Sequence, residues 1–417
     1  MNDESLKRAV TLPLFIDRTT DMKRLLPLLF ALAVAVPAAA QEVLVGMTDT
    51  AAYFPLLRGR RVAVLANHTA VAPAAAFGAA TAADPAGRIH LVDLLHGRGF
   101  DVTGIFSPEH GFRGTADAGQ HVGSSVDAAT GIPIRSLYDG NAKRPSAAAM
   151  RTFDILAVDM QDVGVRFYTY YISMLRMMEA CADAGIPVVV LDRPNPHGEK
   201  IDGPLLEKRF ESGVGALPIP VLHGLTMGEI ARMAVGEGWT ARCEVTVVRC
   251  RNYTHATEYV LPVPPSPNLP TQRAVYLYPT LCLFEGTVLS VGRGTDLPFE
   301  VYGHPAFAEG DFRFTPRSMP GARQPLFEGV VCRGVDCSGM PLAEARAVGL
   351  ALEPLVAAYR SLGMGERFFK PIFEKLVGVS YVREMILAGA SAEEIRARWQ
   401  DDVAAFRTLR ARYLLYE

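Results

Sequence analysis

The residues of this chain whose types and spacing suit chemistry are carboxyls, arginines and tyrosines gathered in four short segments. Glu109 stands in SPEHGFRG, residues 107–114, where Pro108 stiffens the approach and Gly111 and Gly114 allow a tight backbone path. A carboxyl held there beside apolar Ile105 and Phe106 is expected to resist ionisation, which suits a general acid. The same residues also fit a structural ion pair between Glu109 and Arg113. Asp159, Gln161, Asp162 and Arg166 crowd DMQDVGVR, and Asp192, Arg193 and Asn195 crowd LDRPN. Asn67 and His68 open NHTA, and His110 follows Glu109 directly. Arg113, Arg166, Arg193 and Arg293 form a set able to grip a carboxylate bidentately. Tyr168 and Tyr170, with Tyr171 and Phe167, offer aromatic faces and hydroxyls to a sugar. Arginines bridging domains and tyrosines packing between layers account for the same residue types.

Other chemistries fit less well. His68, His110, His121, Asp159 and Asp192 are metal-ligand types, but no HExxH or similar fixed spacing unites them, so hydrogen bonding to substrate or backbone is expected instead. Ser107 sits in no G-x-S-x-G elbow. No G-x-G-x-x-G follows the first strand, and the Gly-rich stretch GRG at 292–294 falls in the second half of the chain. No cofactor or metal is expected.

These segments need elements to position them. Four β-rich runs each end in a polar cluster: RVAVLANHT (61–69), FDVTGIFSPEHG (100–111), FDILAVDMQDVG (153–164) and IPVVVLDRPNP (186–196). Near-continuous apolar runs fit strands buried on both faces of a parallel sheet. Helical spacing appears over 88–97 and 168–184, and Thr226 with Glu229 forms a capping box that opens a third helix. Alternation of this kind predicts an α/β, Rossmann-like doubly wound and mainly parallel sheet. In such sheets ligands bind outside the carboxyl ends of the strands, where all four polar clusters stand.

At Leu261–Pro270 the sequence LPVPPSPNLP is too rich in proline for a helix or central strand, which places a domain boundary there. A Rossmann-like domain is expected over 41–262. A smaller α+β domain is expected over 263–417, with irregular loops, a strand at 326–332 and helical stretches at 341–362 and 391–415. The second of these stretches opens on a further capping box, Ser391 with Glu394.

The chain of 417 residues is long enough for two domains, and its formal net charge of −2 shows no basic excess for nucleic acid. From Met22, MKRLLPLLFALAVAVPAAAQE has the layout of a secretory signal peptide cleaved after Ala40. Residues 1–21 then read as an extension ahead of the true start. A protein soluble outside the cytoplasm, periplasmic or secreted, is expected after cleavage. Export permits disulfides, and Cys243 with Cys250 or Cys332 with Cys337 are close enough to consider, though buried free thiols fit as well.

Several motifs together resemble one family. SPEHGFRG, SLYDG (136–140), DMQDVGVRFYTY (159–170), LDRPNP (191–196), PSPNLP (265–270), YPTLCLFEGT (278–287) and SVGRGTDLPFE (290–300) occur in order across nearly the whole mature chain. They are similar to the exo-β-N-acetylmuramidases of bacterial peptidoglycan turnover, long catalogued as a domain of unknown function. The resemblance implies a Rossmann-like domain joined to a smaller α+β domain, with a substrate cleft between them. It implies hydrolytic release of terminal N-acetylmuramic acid from the non-reducing end of peptidoglycan fragments. The loop NHTA departs from the family, which usually has Gly where Ala70 stands. Glycoside hydrolysis generally needs two carboxyls; Glu109 is the choice for the acid, and Asp159, Asp162 and Glu285 remain open for its partner. A substrate-assisted route through the 2-acetamido group is open too. The lactyl carboxylate of muramic acid gives the arginine set a purpose. Two alternatives stand: a non-catalytic envelope protein that binds carboxylated glycans, and a metal-dependent hydrolase.

Overall fold

Strand residues alternate between two hydrophobic cores, and this alternation makes the sheet doubly wound. In β1 (Arg61–Ala66), Ala63 and Leu65 join one core while Val62, Val64 and Ala66 join the other. Leu156 and Val158 of β5 (Ile155–Asp159), with Val188 and Val190 of β6 (Val188–Leu191), share the first. Ile155, Ala157, Val189 and Leu191 share the second. Both faces being covered, these strands read as unbroken apolar runs. The remaining strands are β2 (Asp101–Ser107), β3 (Ser125–Val126), β4 (Pro133–Ser136) and β7 (Val245–Val248). Seven strands run in the order β7-β6-β5-β1-β2-β4-β3, all parallel except the β3–β4 pair. The order reverses at β1, so β1 and β5 flank the topological switch point.

The computed structural model describes residues 41–417 apart from 79–80, 82, 109–111, 113–124, 138–143 and 309. Glu109, His110, Arg113 and His121 therefore lie outside the described residues, as does the segment 22–40. Among the described residues no helix is long and apolar enough to cross a membrane.

The helix Tyr170–Ala184 ends at Gly185, whose left-handed φ of 67° suits glycine at a helix C-terminus. Met227–Gly236 carries the full capping box of Thr226 and Glu229. The helix expected over 88–97 is shorter: Arg88–His90 pairs as a strand with Val71–Pro73. Leu91–Gly97 forms the helix, capped where His90 accepts the Val92 N–H.

A second, smaller domain carries an antiparallel sheet of β8 (Val301–His304), β9 (Phe312–Phe314) and β10 (Cys332–Asp336), in the order β8-β10-β9. The strand expected at 326–332 is thus displaced, beginning only at Cys332. Where irregular loops were expected after the proline-rich segment, Gln272–Leu281 is helical despite Pro279. The stretch 341–362 is two helices, Leu342–Val348 and Glu353–Leu362, broken at Gly349. Ser391 and Glu394 cap the helix Ala392–Ala397 as expected. Residues 43–417 form one compact unit, and Phe284, Phe299, Phe368, Phe373 and Trp399 share the first core with the sheet. All six cysteines are free thiols, the two candidate pairs included.

The chain's end returns to the sheet. The Tyr416 hydroxyl donates to Asp192, just past β6, at 2.7 Å and accepts the Cys250 N–H at 2.9 Å. Tyr416→Phe is expected to lower the free energy of unfolding by ~1–3 kcal/mol, because both partners are buried. Urea denaturation measures it, and a change of a few tenths would mean that apolar packing alone seats the terminus.

Candidate active site

The loops after β1 and β5 are stitched together at the switch point. Asn67 Oδ1 accepts from the Thr69 N–H at 3.1 Å and from the Thr69 hydroxyl at 2.6 Å. The same hydroxyl accepts the Gln161 N–H at 2.9 Å. Gln161 Nε2 donates to the carbonyls of Asp162 and Pro194, both at 2.8 Å, which brings in the loop after β6. Buried polar atoms without a hydrogen-bond partner occur at several places among the described residues, and four of them stand here: Asn67 Nδ2, Ser107 Oγ, Gln161 Oε1 and Asp162 Oδ2. They belong to the carboxyl ends of three adjacent strands, β2, β1 and β5. Unsatisfied buried groups are costly and uncommon, and their collection at one edge suits a site that completes its bonding with a ligand.

The sequence-selected carboxyls occupy three different environments. Asp159 is fully buried and ion-paired with Arg193, whose Nη2 lies 3.0 Å from Oδ2. Burial alone would lower the Arg193 pKa; the Asp159 carboxylate more than reverses this and holds the guanidinium charged. Arg193 also donates to the Val71 carbonyl at 3.1 Å. Asp162 is buried without a cation. Its Oδ1 accepts the Gly164 N–H at 2.7 Å, and burial pushes its pKa up to about 7. Glu285 is partly exposed, with Arg293 Nε at 2.6 Å from Oε1 and Nη2 at 3.2 Å from Oε2. The Arg293 guanidinium also lies 5.0 Å over the Phe299 ring.

Glu285 and Arg293 border a cavity of about 320 Å³. Phe167, Tyr168, Tyr170, Ser266, Asn268 and Tyr278 complete much of its wall. The wall is rigid because the Tyr168 and Tyr170 hydroxyls both donate to the Pro265 carbonyl, at 2.8 and 2.9 Å. His68 Nε2 holds the neighbouring Pro264 carbonyl at 2.8 Å. The tyrosines thus line the cavity while these hydroxyl bonds fix the proline-rich segment. Asn268 Nδ2 donates to the Gly321 carbonyl at 2.8 Å and anchors the loop beyond.

The structure brings Tyr168, Tyr170, Glu285 and Arg293 to one cavity and links Asn67 with Gln161. It does not bring Arg166 or Asn195 there as substrate contacts. Arg166 is fully buried and donates to the carbonyls of Pro204, Ile219, Leu376 and Val377, so it has a bracing role. Asn195 binds the Leu225 carbonyl and the His197 N–H. Residue type alone overlooked Ser266, Asn268 and Tyr278, although they stand within PSPNLP and YPTLCLFEGT. The metal reading loses ligands here: Asp159 is committed to Arg193, and Asp192 accepts from Thr226, Gly228 and Tyr416. Among the described residues no group of three His, Cys, Asp or Glu is arranged to hold a metal.

The fold is α/β with a second, smaller domain, and carboxyl and guanidinium groups gather past the carboxyl ends of its parallel strands. Models of the N-terminal and C-terminal domains of the exo-β-N-acetylmuramidase NamZ match residues 62–273 and 276–416. The chain belongs to the exo-β-N-acetylmuramidase family. It is 38% identical over 343 residues to the peptidoglycan β-N-acetylmuramidase NamZ of Bacillus subtilis, covering 78% of this chain and 82% of that one. Two solved structures of DUF1343 family proteins from Bacteroides fragilis are similar, each covering 90% of this chain and 99% of its own. One has a TM-score of 0.81 at 50% identity, the other 0.73 at 27%.

Asp162 makes stability depend on pH. Its pKa is raised from 3.8 to about 7 in the folded chain, so the native state holds a proton that the unfolded chain has lost. The stabilisation is complete below about pH 4 and is lost as pH rises through about 7. Asp162→Asn keeps the neutral shape, so relative to the variant the wild type should lose ~2–4 kcal/mol between pH 4 and pH 8. Denaturation of both proteins across this range reads the difference, and parallel curves would show Asp162 ionised throughout.

Proposed function

We propose that the protein is a glycoside hydrolase that releases terminal N-acetylmuramic acid from the non-reducing end of peptidoglycan fragments. The observation that carries this reading is the match of both family domains, end to end, over a chain whose cavity pairs a partly exposed carboxyl with aromatic rings. Rings of this kind suit the apolar face of a pyranose. Glu109 acts as general acid toward the leaving oxygen, following the segment SPEHGFRG at the end of β2. Glu285 is the second carboxyl, because it alone of the three candidates borders the cavity. In that position it serves as nucleophile or base, or orients the 2-acetamido group. Asp159, sealed by Arg193, holds the switch-point loops in place. Asn67 and Gln161, each with an unsatisfied buried atom, supply hydrogen bonds to the bound sugar. The enzyme works outside the cytoplasm, as the signal-like segment from Met22 to Ala40 and a cell-wall substrate both suggest.

Release of N-acetylmuramic acid from a muramic-acid-terminated disaccharide, followed by mass spectrometry, tests the reading. Glu109→Gln should lower kcat by ~10²–10⁴-fold with KM little changed, as expected for loss of a general acid. Glu285→Gln should be impaired comparably. A wild-type protein that releases no sugar, while still binding it, would leave a non-catalytic glycan-binding protein as the correct description.

A further inference from the structure

Glu285 and Arg293 also line a second cavity, of about 590 Å³. Among the described residues its wall carries Arg293, Arg323 and Lys370 together with the carboxylate of Glu285. Leu289, Val291, Pro325 and Leu326 supply apolar surface between them.

Lys370 is held there by its main chain. Its N–H donates to the Gly286 carbonyl at 2.8 Å, directly after Glu285, and the preceding Phe369 bridges to Thr287. The Val288 N–H donates to the Phe368 carbonyl at 3.0 Å, and the Lys370 carbonyl accepts the Phe373 N–H at 3.0 Å. The opposite wall is fixed by the Arg317 N–H to the Gly294 carbonyl, 2.8 Å, and by Asn268 on Gly321. At Gly294 the chain has φ +82°, and an added Cβ would stand 2.6 Å from Pro325, so the two segments meet closely only because glycine is there. Within this frame the Lys370 ammonium makes no hydrogen bond or ion pair with any described residue, although it is partly buried. Burial depresses its pKa and the nearby Glu285 partly opposes that, the pattern of a cation whose counter-charge is incomplete.

We propose that this cavity is the subsite for a carboxylate carried on the substrate sugar, with Lys370 as the residue that selects it; the proposal rests on the muramidase reading. A short acid ether fits both features of the wall, its carbon atoms against Leu289 and Val291 and its carboxylate toward Lys370. Arg293, already bound along one edge by Glu285, adds field and position to the same end of the cavity. Lys370 thereby discriminates muramic acid from the same sugar without the acid, in a cavity that shares Glu285 with the first.

The test compares an aryl β-glycoside of N-acetylmuramic acid with its lactamide and with the acid extended by a short peptide. For wild type, KM for the free acid should lie ~10- to 100-fold below that for the lactamide, the worth of one charge-assisted hydrogen bond. Lys370→Met should bring the two together by raising KM for the acid, with kcat within about threefold, and Lys370→Arg should restore most of the preference. Wild type that treats acid and lactamide alike, or Lys370→Met that keeps the preference, overturns the proposal. An effect confined to the peptide-extended substrate would also overturn it, since the charge recognised would belong to the peptide. Calorimetry of N-acetylmuramic acid and its lactamide binding to wild type reads the same preference without turnover. Absent hydrolysis with preserved discrimination would therefore sink the enzyme reading and leave the subsite standing. Thermal melts of both variants exclude misfolding, and the wild-type comparison needs neither.

Discussion

The position of the site's walls depends on one buried charge. Arg166 is enclosed with no carboxylate among its hydrogen-bond partners, and burial lowers its pKa only to about 10, so it remains a cation at neutral pH. Four main-chain carbonyls accept from its two amino groups, Pro204 and Ile219 from one and Leu376 and Val377 from the other, at 2.7 to 3.0 Å, while Nε has no partner among the described residues. The first two belong to the loops that follow β6 and the last two to the second domain. Phe167 to Tyr170 run on directly from Arg166, and Leu376 borders the same cavity. The guanidinium therefore fixes one wall against the other. Its approach is so close that a Cβ on Gly378, where φ is +88°, would stand 2.5 Å from Nη2. Removing such a charge leaves carbonyls unsatisfied, and shrinking the side chain leaves a void.

How far the fold was legible follows from which forces act locally. The apolar runs ending at Ala66, Ser107, Asp159 and Leu191 are strands because both sheet faces are covered, and that demand is written into each run. Capping boxes at Thr226 and Ser391 are equally local. The edge strand β7 alternates in exposure and is short, so its signal is weak. Gln272–Leu281 was hidden by Pro279, which argues against a helix interior; eight of its residues are nevertheless buried, and packing outweighs the proline. Val330 and Val331 have strand propensity but remain exposed beside β10, where no partner strand covers them.

The site was legible at the level of segments and less so at the level of side chains. The polar clusters that follow β1, β5 and β6 do stand at the strands' carboxyl ends, since topology dictates that edge, while Glu109, His110 and Arg113 lie outside the described residues. What the sequence could not reveal is where each side chain spends its hydrogen bonds. Arg166, Arg193 and Arg293 are interchangeable by type. In the folded chain one braces carbonyls, one seals a buried aspartate and one borders a cavity. Tyr168 and Tyr170 turn their hydroxyls to a proline carbonyl almost a hundred positions away, a contact that no spacing rule anticipates.

The three candidate partner carboxyls show why burial, not residue type, assigns roles. Asp159 has lost water entirely and gained a guanidinium, so both its oxygens are spent and it has nothing to offer a substrate. Asp162 has lost water without gaining a cation. It is driven toward its neutral form, which suits a buried wall and not a nucleophile. Glu285 keeps partial exposure, pairs with a guanidinium and lines two cavities. A carboxyl in that position can meet a reacting centre in the first cavity while the cations beside it hold an anion in the second. In the proposed reading, reaction and selection meet at the same ion pair, which the second domain supplies.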